Sequence, residues 1–373
     1  MKILLAADIF PPQTGGPATY VVTLANELVK AGDEVRIVSL NPHSDKSIVN
    51  CQLLIVHSEN KVLRYLEYLW RLYKQAKLAE VVYAMGPVNA GLPALLAARL
   101  QGKKFVVKVV GDYAWEQSVQ RFGVEDLVDE FQNKSRYGFS VRALKRVEAV
   151  VCRRADAVIV PCAYLKRLVI GWGVGEKNLV VIRNGVSLLN IEPIMKLPDE
   201  KWIVSAGRLV PWKGMSALIE IMPDLVNVFH GVKLKIVGAG PEWKNLESKI
   251  KDQKLEEVVE LVGRMTRQET LKYIAAANVF VLNSAYEGLS HVLLEAAVQN
   301  INICASNISS NLELPIAMAL FQYNNKDEIK TAISTTLSAG TITSSNVNIV
   351  KDQFSLEKMI RETRMSLQQI CVS

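Results

Sequence analysis

The chain has 373 residues, half of them hydrophobic and 22% charged, which allows two domains with separate cores and excludes a disordered chain. A formal charge of +7 favours an anionic partner such as a nucleotide, a nucleic acid or an acidic membrane surface. The five cysteines, Cys51, Cys152, Cys162, Cys304 and Cys371, lack C-x-x-C spacing and read as reduced packing residues of a cytosolic protein.

Lys2 to Ala7 reads as a first strand, and Asp8 interrupts the apolar run before it can serve as a signal peptide. The loop Pro11-Pro12-Gln13-Thr14-Gly15-Gly16-Pro17 follows, then a helix from about Ala18 to Lys30 and a strand from Glu34 to Ser39. Strand, loop, helix and strand in that order predict a parallel sheet. Gly15 and Gly16 would let a ligand approach the backbone at the helix start, or simply form a tight turn. A nicotinamide enzyme would need G-x-G-x-x-G and an acid ending the second strand. The chain has Ser39-Leu40-Asn41 there instead.

Asn60 to Lys77 places Val62, Leu63, Tyr65, Leu66, Leu69, Trp70, Leu72 and Tyr73 on one broad helical face. Lys61, Arg64, Arg71, Lys74 and Lys77 occupy much of the other. Such a helix lies on an anionic bilayer or packs into a core with its charged face in water; the second, commoner arrangement is the one expected. Phe105 to Val110 reads as a strand that delivers Gly111-Asp112-Tyr113-Ala114-Trp115-Glu116 at its C-terminal end, the edge where doubly wound sheets bind ligands. Asp112, Tyr113 and Trp115 are therefore candidate contacts for a sugar, with a helix-capping aspartate and packed aromatics as the equal alternative. Ser135 to Arg154 is a second basic helix, carrying Arg136, Arg142, Lys145, Arg146, Arg153 and Arg154. Asp156 to Val160 continues the sheet, a helix lies near Tyr164 to Val169, and Val180 to Val186 closes the first half.

Ser187 to Glu200, with two prolines and little periodicity, reads as a linker. The α/β alternation then restarts, with strands near Trp202–Ala206, Lys233–Val237, Val258–Val262, Val279–Leu282 and Ile301–Cys304, and a last helix near Leu356–Ile370. No apolar run reaches the ~18 residues of a membrane span. His43, His57, His230 and His291 have no zinc spacing.

The second half carries the chemistry. Gly207-Arg208-Leu209-Val210-Pro211-Trp212-Lys213-Gly214 follows its first strand, which puts two cations at a C-terminal strand end. Val237-Gly238-Ala239-Gly240-Pro241-Glu242-Trp243 imitates a dinucleotide fingerprint but has Trp243 where the last glycine belongs. Tyr286-Glu287-Gly288-Leu289-Ser290-His291-Val292-Leu293-Leu294-Glu295 follows the strand Val279–Leu282. Ser290 is a candidate N-cap, and His291 to Val298 reads as a helix. Glu287 then precedes the helix and Glu295 lies inside it, with a helix N-terminus suited to phosphate between them. Hydroxyl acceptor, phosphate seat and hydroxyl acceptor match hexose, diphosphate and ribose in a sugar nucleotide. An ordinary strand–loop–helix with two surface glutamates remains the alternative.

These motifs together resemble the family 4 glycosyltransferases, retaining enzymes of the GT-B architecture. The resemblance rests on the Pro-Pro-x-x-Gly-Gly loop, Asn184-Gly185-Val186, Gly-Arg-Leu…Lys-Gly at 207–214, Gly-x-Gly-Pro at 238–241, Leu261-Val262-Gly263-Arg264-Met265, and the E-x7-E spacing of Glu287 and Glu295. It covers nearly the whole chain. It implies an α/β fold of two Rossmann-like doubly wound domains facing across a cleft: an acceptor domain over residues 1–187, a nucleotide-sugar domain over 200–355, and a terminal helix, 356–373, returning to the first.

The resemblance implies transfer of a sugar from a nucleoside-diphosphate sugar to a hydroxyl of a sugar, glycan or lipid-linked acceptor, without a metal or other cofactor. No D-x-D pair provides a metal clamp. Arg208 and Lys213 would stabilise the leaving diphosphate, whose charge grows as the glycosidic bond breaks. Glu287 would face the transferred sugar and Glu295 the ribose hydroxyls. Gly15, Gly16, Gly238, Gly263, Arg264, Gly288, Leu289, Ser290 and Leu293 complete the implied donor site. Asp112 is the remaining catalytic candidate, although relatives often carry a histidine near it and this chain does not. Further departures are Ser187 after Asn-Gly-Val, Asn300-Ile301-Asn302 where a Gly-x-Pro is usual, and Ser309-Ser310-Asn311 in a normally glycine-rich turn. The expected setting is cytoplasmic, with contact at the inner face of an anionic membrane as an option and no nucleic acid partner. Two rivals stand beside this reading. One is a glycosidase using Glu287 and Glu295, which leaves Arg208 and Lys213 unexplained; the other is a degenerate sugar-nucleotide-binding partner protein.

Overall fold

A computed structural model describes residues 1–13, 16–134, 136–188, 191–340 and 346–372. The chain divides into two compact units, Met1–Arg183 with Glu357–Ser373, and Asn184–Leu356.

The first unit is built on seven parallel strands: β1 (Lys2–Ala7), β2 (Glu34–Ser39), β3 (Gln52–Ile55), β4 (Val81–Met85), β5 (Lys104–Lys108), β6 (Ala157–Val160) and β7 (Leu179–Val181), in the spatial order β3-β2-β1-β4-β5-β6-β7. Ile3 to Ala7 and all of β4 are buried, as expected for strands covered on both faces. The covering helices are α1 (Gly16–Lys30), α2 (Lys61–Ala76), α3 (Gly91–Leu100), α4 (Tyr113–Phe122), α5 (Val128–Asn133), α6 (Phe139–Arg153) and α7 (Ala163–Gly171). The strand order reverses between β1 and β4, so ligand-binding loops of this sheet are expected outside their C-terminal ends.

The second unit repeats the plan with six parallel strands: β8 (Lys201–Ala206), β9 (Val232–Val237), β10 (Val259–Gly263), β11 (Val279–Leu282), β12 (Asn302–Ser306) and β13 (Ala319–Phe321), ordered β10-β9-β8-β11-β12-β13. Its helices are α8 (Met215–Glu220), α9 (Met222–Val228), α10 (Trp243–Asp252), α11 (Arg267–Ala276), α12 (His291–Val298), α13 (Ser309–Leu312), α14 (Lys326–Ala339) and α15 (Asn346–Gln353). One core cluster runs from Ile203, Leu234 and Ile236 through Val279 and Val281 to Phe321 and Ile333. Here the order reverses between β8 and β11.

The final helix, α16 (Leu356–Val372), belongs almost entirely to the first unit. Arg364 Nε donates to Asp33 Oδ2 at 2.7 Å, and the terminal ammonium donates to Asp33 Oδ1 at 2.9 Å. Burial pushes the Asp33 carboxyl up, but the two cations outweigh it and hold the group below the usual aspartate range.

Two expectations need correction. The turn Asn184-Gly185-Val186 does not close the first unit. Val186 bridges to Ser355, and a Cβ on Gly185 would lie 2.7 Å from Leu356 Cα, so packing against the segment before α16 draws the turn into the second unit. Helix α2 is also not a core helix across its apolar face. Only Tyr68, Leu72 and Ala76 are buried, while Val62, Leu63, Tyr65, Leu66, Trp70 and Tyr73 are exposed. A 3.6-residue period shows which side chains share a face but not whether a further layer covers them.

Candidate functional site

Four loops leave the C-terminal edge of the second sheet, and they carry most of the residues singled out in the sequence. Arg208 and Lys213 follow β8, Gly238 follows β9, Gly263 ends β10 with Arg264 after it, and Glu287 to Ser290 connect β11 to α12. Gly263 has φ +90, a left-handed conformation that suits glycine. The switch point between β8 and β11 therefore brings the Lys213 loop beside the Glu287 loop. Lys213 Nζ donates to Glu287 Oε1, and both side chains are largely buried.

Backbone packing explains why these loops approach so closely. A Cβ on Gly238, which has φ +145, would lie 1.9 Å from Gly207 O, and one on Gly240 would lie 2.2 Å from Leu209 O. Glycine is thus required there for loop-on-loop contact, whatever ligand the loops hold. Gly214 adopts φ +54 and is clamped by Asn283, whose Nδ2 donates to Gly214 O at 2.9 Å and to Asn324 Oδ1 at 2.8 Å. Ala285 N donates to Trp212 O at 2.8 Å. Lys213 is consequently held from the β11 side, through residues that the sequence pattern did not single out.

Helix α12 spans His291–Val298, as the pattern predicts, with Ser290 at its N-cap position. Ser290 makes no side-chain cap bond, and its Oγ is buried without a hydrogen-bond partner. A buried, unpaired hydroxyl is costly, so this one is a candidate donor or acceptor for a ligand at the helix start. Leu289 and Leu293 are buried and anchor the turn and helix from below, while Gly288 is partly exposed.

Glu295 accepts from Arg267 Nε at 2.8 Å. Burial pushes its carboxyl above the usual glutamate range, although Arg267 acts against this. Arg267, the first residue of α11, was missed in the sequence; it lies just beyond β10, on the same edge as Arg264. Its position past a strand end was the available signal.

The remaining predicted residues lie in the first unit. Gly15 is outside the described residues, and Gly16 opens α1. Asp112 is 1% exposed and caps α4: its Oδ1 accepts from Trp115 N at 2.7 Å and its Oδ2 from Gln132 Nε2 at 2.6 Å. Glu148, also buried, accepts from Tyr113 N at 3.1 Å and Ala114 N at 3.2 Å. Two carboxyl groups thus serve one helix N-terminus. Burial raises both above their usual values and acts most strongly on Glu148, to which the neighbouring Asp112 adds a smaller upward push. The geometry makes Asp112 a capping residue rather than a group presented to a substrate.

The polar groups nearer the open edge of this sheet are others. Asn89 Nδ2 donates to Asp8 Oδ2 at 3.2 Å and to Tyr113 Oη at 3.0 Å, and Tyr65 Oη donates to Asn89 Oδ1 at 2.9 Å. Burial raises the Asp8 carboxyl above its usual range, against the Asn89 bond. Among the described residues no three His, Cys, Asp or Glu side chains converge where they could hold a metal ion.

Comparison with known proteins accords with this geometry. Residues 14–188 match the model "Glycosyltransferase Family 4", and residues 190–348 match "Glycosyl transferases group 1". A phosphatidylinositol N-acetylglucosaminyltransferase component of Arabidopsis thaliana is 22% identical over 91% of this chain and 74% of its own. A Campylobacter jejuni 4-alpha-N-acetylgalactosaminyltransferase, whose name specifies a diphospho-undecaprenol-linked acceptor, is 26% identical over 83% of this chain and 82% of its own. Among solved structures, Anabaena HepE with bound UDP superposes with a TM-score of 0.75 at 18% identity, covering 99% of this chain and 100% of HepE. Sucrose-phosphate synthase of Thermosynechococcus elongatus gives 0.79 at 19% identity, with 99% of each chain covered. With the two family models lying in tandem along its two α/β units, the chain belongs to the family 4 glycosyltransferases of the GT-B fold.

Proposed function

We propose that this glycosyltransferase moves a sugar from a nucleoside-diphosphate sugar to an acceptor hydroxyl with retention of anomeric configuration. The observation that carries the reading is the Lys213–Glu287 pair at the β8/β11 switch point, with Arg208 on the same loop as the lysine. As the bond from the sugar carbon to the diphosphate oxygen breaks, negative charge grows on the leaving group. Arg208 and Lys213 stabilise that charge more than they stabilise the bound donor, which is what lowers the barrier. Glu287 both positions Lys213 and accepts hydrogen bonds from the transferred sugar. Glu295, further along α12, accepts from the ribose hydroxyls, and the donor displaces part of its pairing with Arg267.

The acceptor oxygen attacks from the face the diphosphate leaves. Its proton passes to the departing phosphate oxygen, so products are glycoside and nucleoside diphosphate. The UDP bound by HepE makes a uridine donor the first to test. The acceptors named for the Arabidopsis and Campylobacter relatives, a phosphatidylinositol and a diphospho-undecaprenol, support a lipid-linked acceptor. No cofactor takes part in this scheme.

Incubating the protein with UDP-sugars and following the anomeric proton by NMR tests the reading. The expected result is release of UDP with the donor's anomeric configuration kept in the product. An inverted product would overturn the mechanism. Binding of UDP-sugar with neither transfer nor slow hydrolysis would favour a degenerate binding protein instead.

A further inference from the structure

Helix α2 has two apolar lines, and only one of them faces the protein. Tyr68, Leu72 and Ala76 form the buried line. On the other, Val62 is 69% exposed, Leu66 58% and Trp70 54%. At ~100° per residue these three lie within ~80° of arc, and Tyr73 falls among them. The strip continues onto the neighbouring helix α3, where Leu96 and Leu100 are exposed. Between Val62, Leu66 and Leu69 of α2 and Leu92, Pro93 and Leu96 of α3 runs a groove of about 410 Å³.

Charge frames this strip. Lys61 stands at one end of α2, and Lys74 and Lys77 stand at the other, all exposed. Lys74 Nζ sits 4.8 Å from the centre of the Trp70 ring. The acid carried by α2, Glu67, is turned away: it accepts from Arg71 Nε at 2.8 Å and from Ser58 N at 3.1 Å. A large apolar strip with cations at both ends and its acid neutralised is complementary to an anionic bilayer, whose headgroups take the cations while its acyl region takes the strip.

We propose that the α2–α3 face docks this protein onto an anionic lipid bilayer. Among the described residues no helix is long and apolar enough to cross a membrane, so the contact is lateral. Tyr65 sits at the edge of the strip and bonds Asn89, so docking brings the polar cluster of Asp8, Asn89 and Tyr113 to the headgroup layer. The docking does not depend on the sugar-transfer reading and is measured without donor or acceptor.

Purified full-length protein is sedimented with phosphatidylcholine vesicles, with and without phosphatidylglycerol, at low and high salt. The wild type should pellet with the anionic vesicles and be released as salt screens the lysines. Leu66→Glu/Trp70→Glu should weaken the partition roughly tenfold or more. Lys74→Glu/Lys77→Glu should weaken it less and reduce its salt dependence. Because all four positions are exposed, the variants should keep the wild-type thermal midpoint. Should the first variant misfold, the lysine variant alone decides. A wild type that stays in the supernatant at low salt, or variants that pellet like it, overturns the proposal. So does a lipid-free dimer that Leu66→Glu/Trp70→Glu dissociates, which would assign the strip to a second copy.

Discussion

The two units share one sheet plan and differ at the C-terminal edges of their sheets. In the second unit that edge holds charged side chains in pairs, Lys213 with Glu287 and Arg267 with Glu295, on loops locked together by Gly207, Gly238 and Asn283. In the first, the buried carboxyl groups Asp112 and Glu148 are spent on capping α4, and the polar groups nearer the edge are the uncharged Asn89, Tyr65 and Tyr113 around Asp8. One edge sets cations against carboxylates; the other gathers neutral hydrogen-bonding groups around one carboxyl. Equal topology thus does not distribute chemistry equally, and carboxylates beyond strand ends have to be judged by their partners.

The largest effect should fall on the charged edge. Lys213→Ala removes a charge-assisted contact worth roughly 1.5–3 kcal/mol, so transfer should slow by about tenfold to more than a hundredfold. Steady-state kinetics with a saturating acceptor checks this, and unchanged turnover would remove Lys213 from the reaction. Asp112→Ala, by contrast, should cost about 0.5–2 kcal/mol of stability in denaturant unfolding, as lost helix caps do. If turnover fell as far as in Lys213→Ala with stability unchanged, the comparison would break.

The buried pair in the first unit also predicts a pH dependence. Glu148 is held well above the usual glutamate value of about 4.3. Below that value both folded and unfolded chains are protonated and the group costs nothing. As pH rises above it, the unfolded chain ionises first, so stability falls until the raised folded value is passed. Glu148→Gln should therefore flatten the decline of the unfolding midpoint from mildly acidic to neutral pH. An unaltered slope would show that the pair is not buried as described.

The smallest effect concerns a sequence departure. Asn300 stands where the family resemblance implies a glycine, and it adopts φ +55, a left-handed conformation that asparagine tolerates better than most residues. Asn300→Gly should change stability by only about 0.4–1 kcal/mol and leave UDP affinity intact. A large gain in either would mean that the departure disables the site.

Much of this was legible in the chain. Lys2–Ala7, Glu34–Ser39 and His291–Val298 follow from apolar runs and residue propensities because those signals are local. The exposed face of α2 was not, since periodicity carries no information about a missing outer layer. Nor was the reason for Gly238: its constraint comes from Gly207, just past a strand that only the β10-β9-β8 order brings alongside. Arg267 and Asn283 escaped for the same reason, because their partners, Glu295 and Gly214, are distant in sequence. Asp112 lies four residues past β5, and its capping bonds to Trp115 and Gln132 follow from the fold rather than from the local pattern alone.

The most direct test of the account is calorimetric titration of free UDP and of UDP-sugar into two variants. Glu295→Ala should weaken both ligands alike, by the ~1.5–3 kcal/mol of a hydrogen bond to a charged group. Glu287→Ala should leave free UDP binding nearly intact while impairing transfer and discrimination between sugars. Equal loss of free UDP affinity in both variants, with both still folded, would contradict the assignment of the two glutamates to opposite ends of the donor.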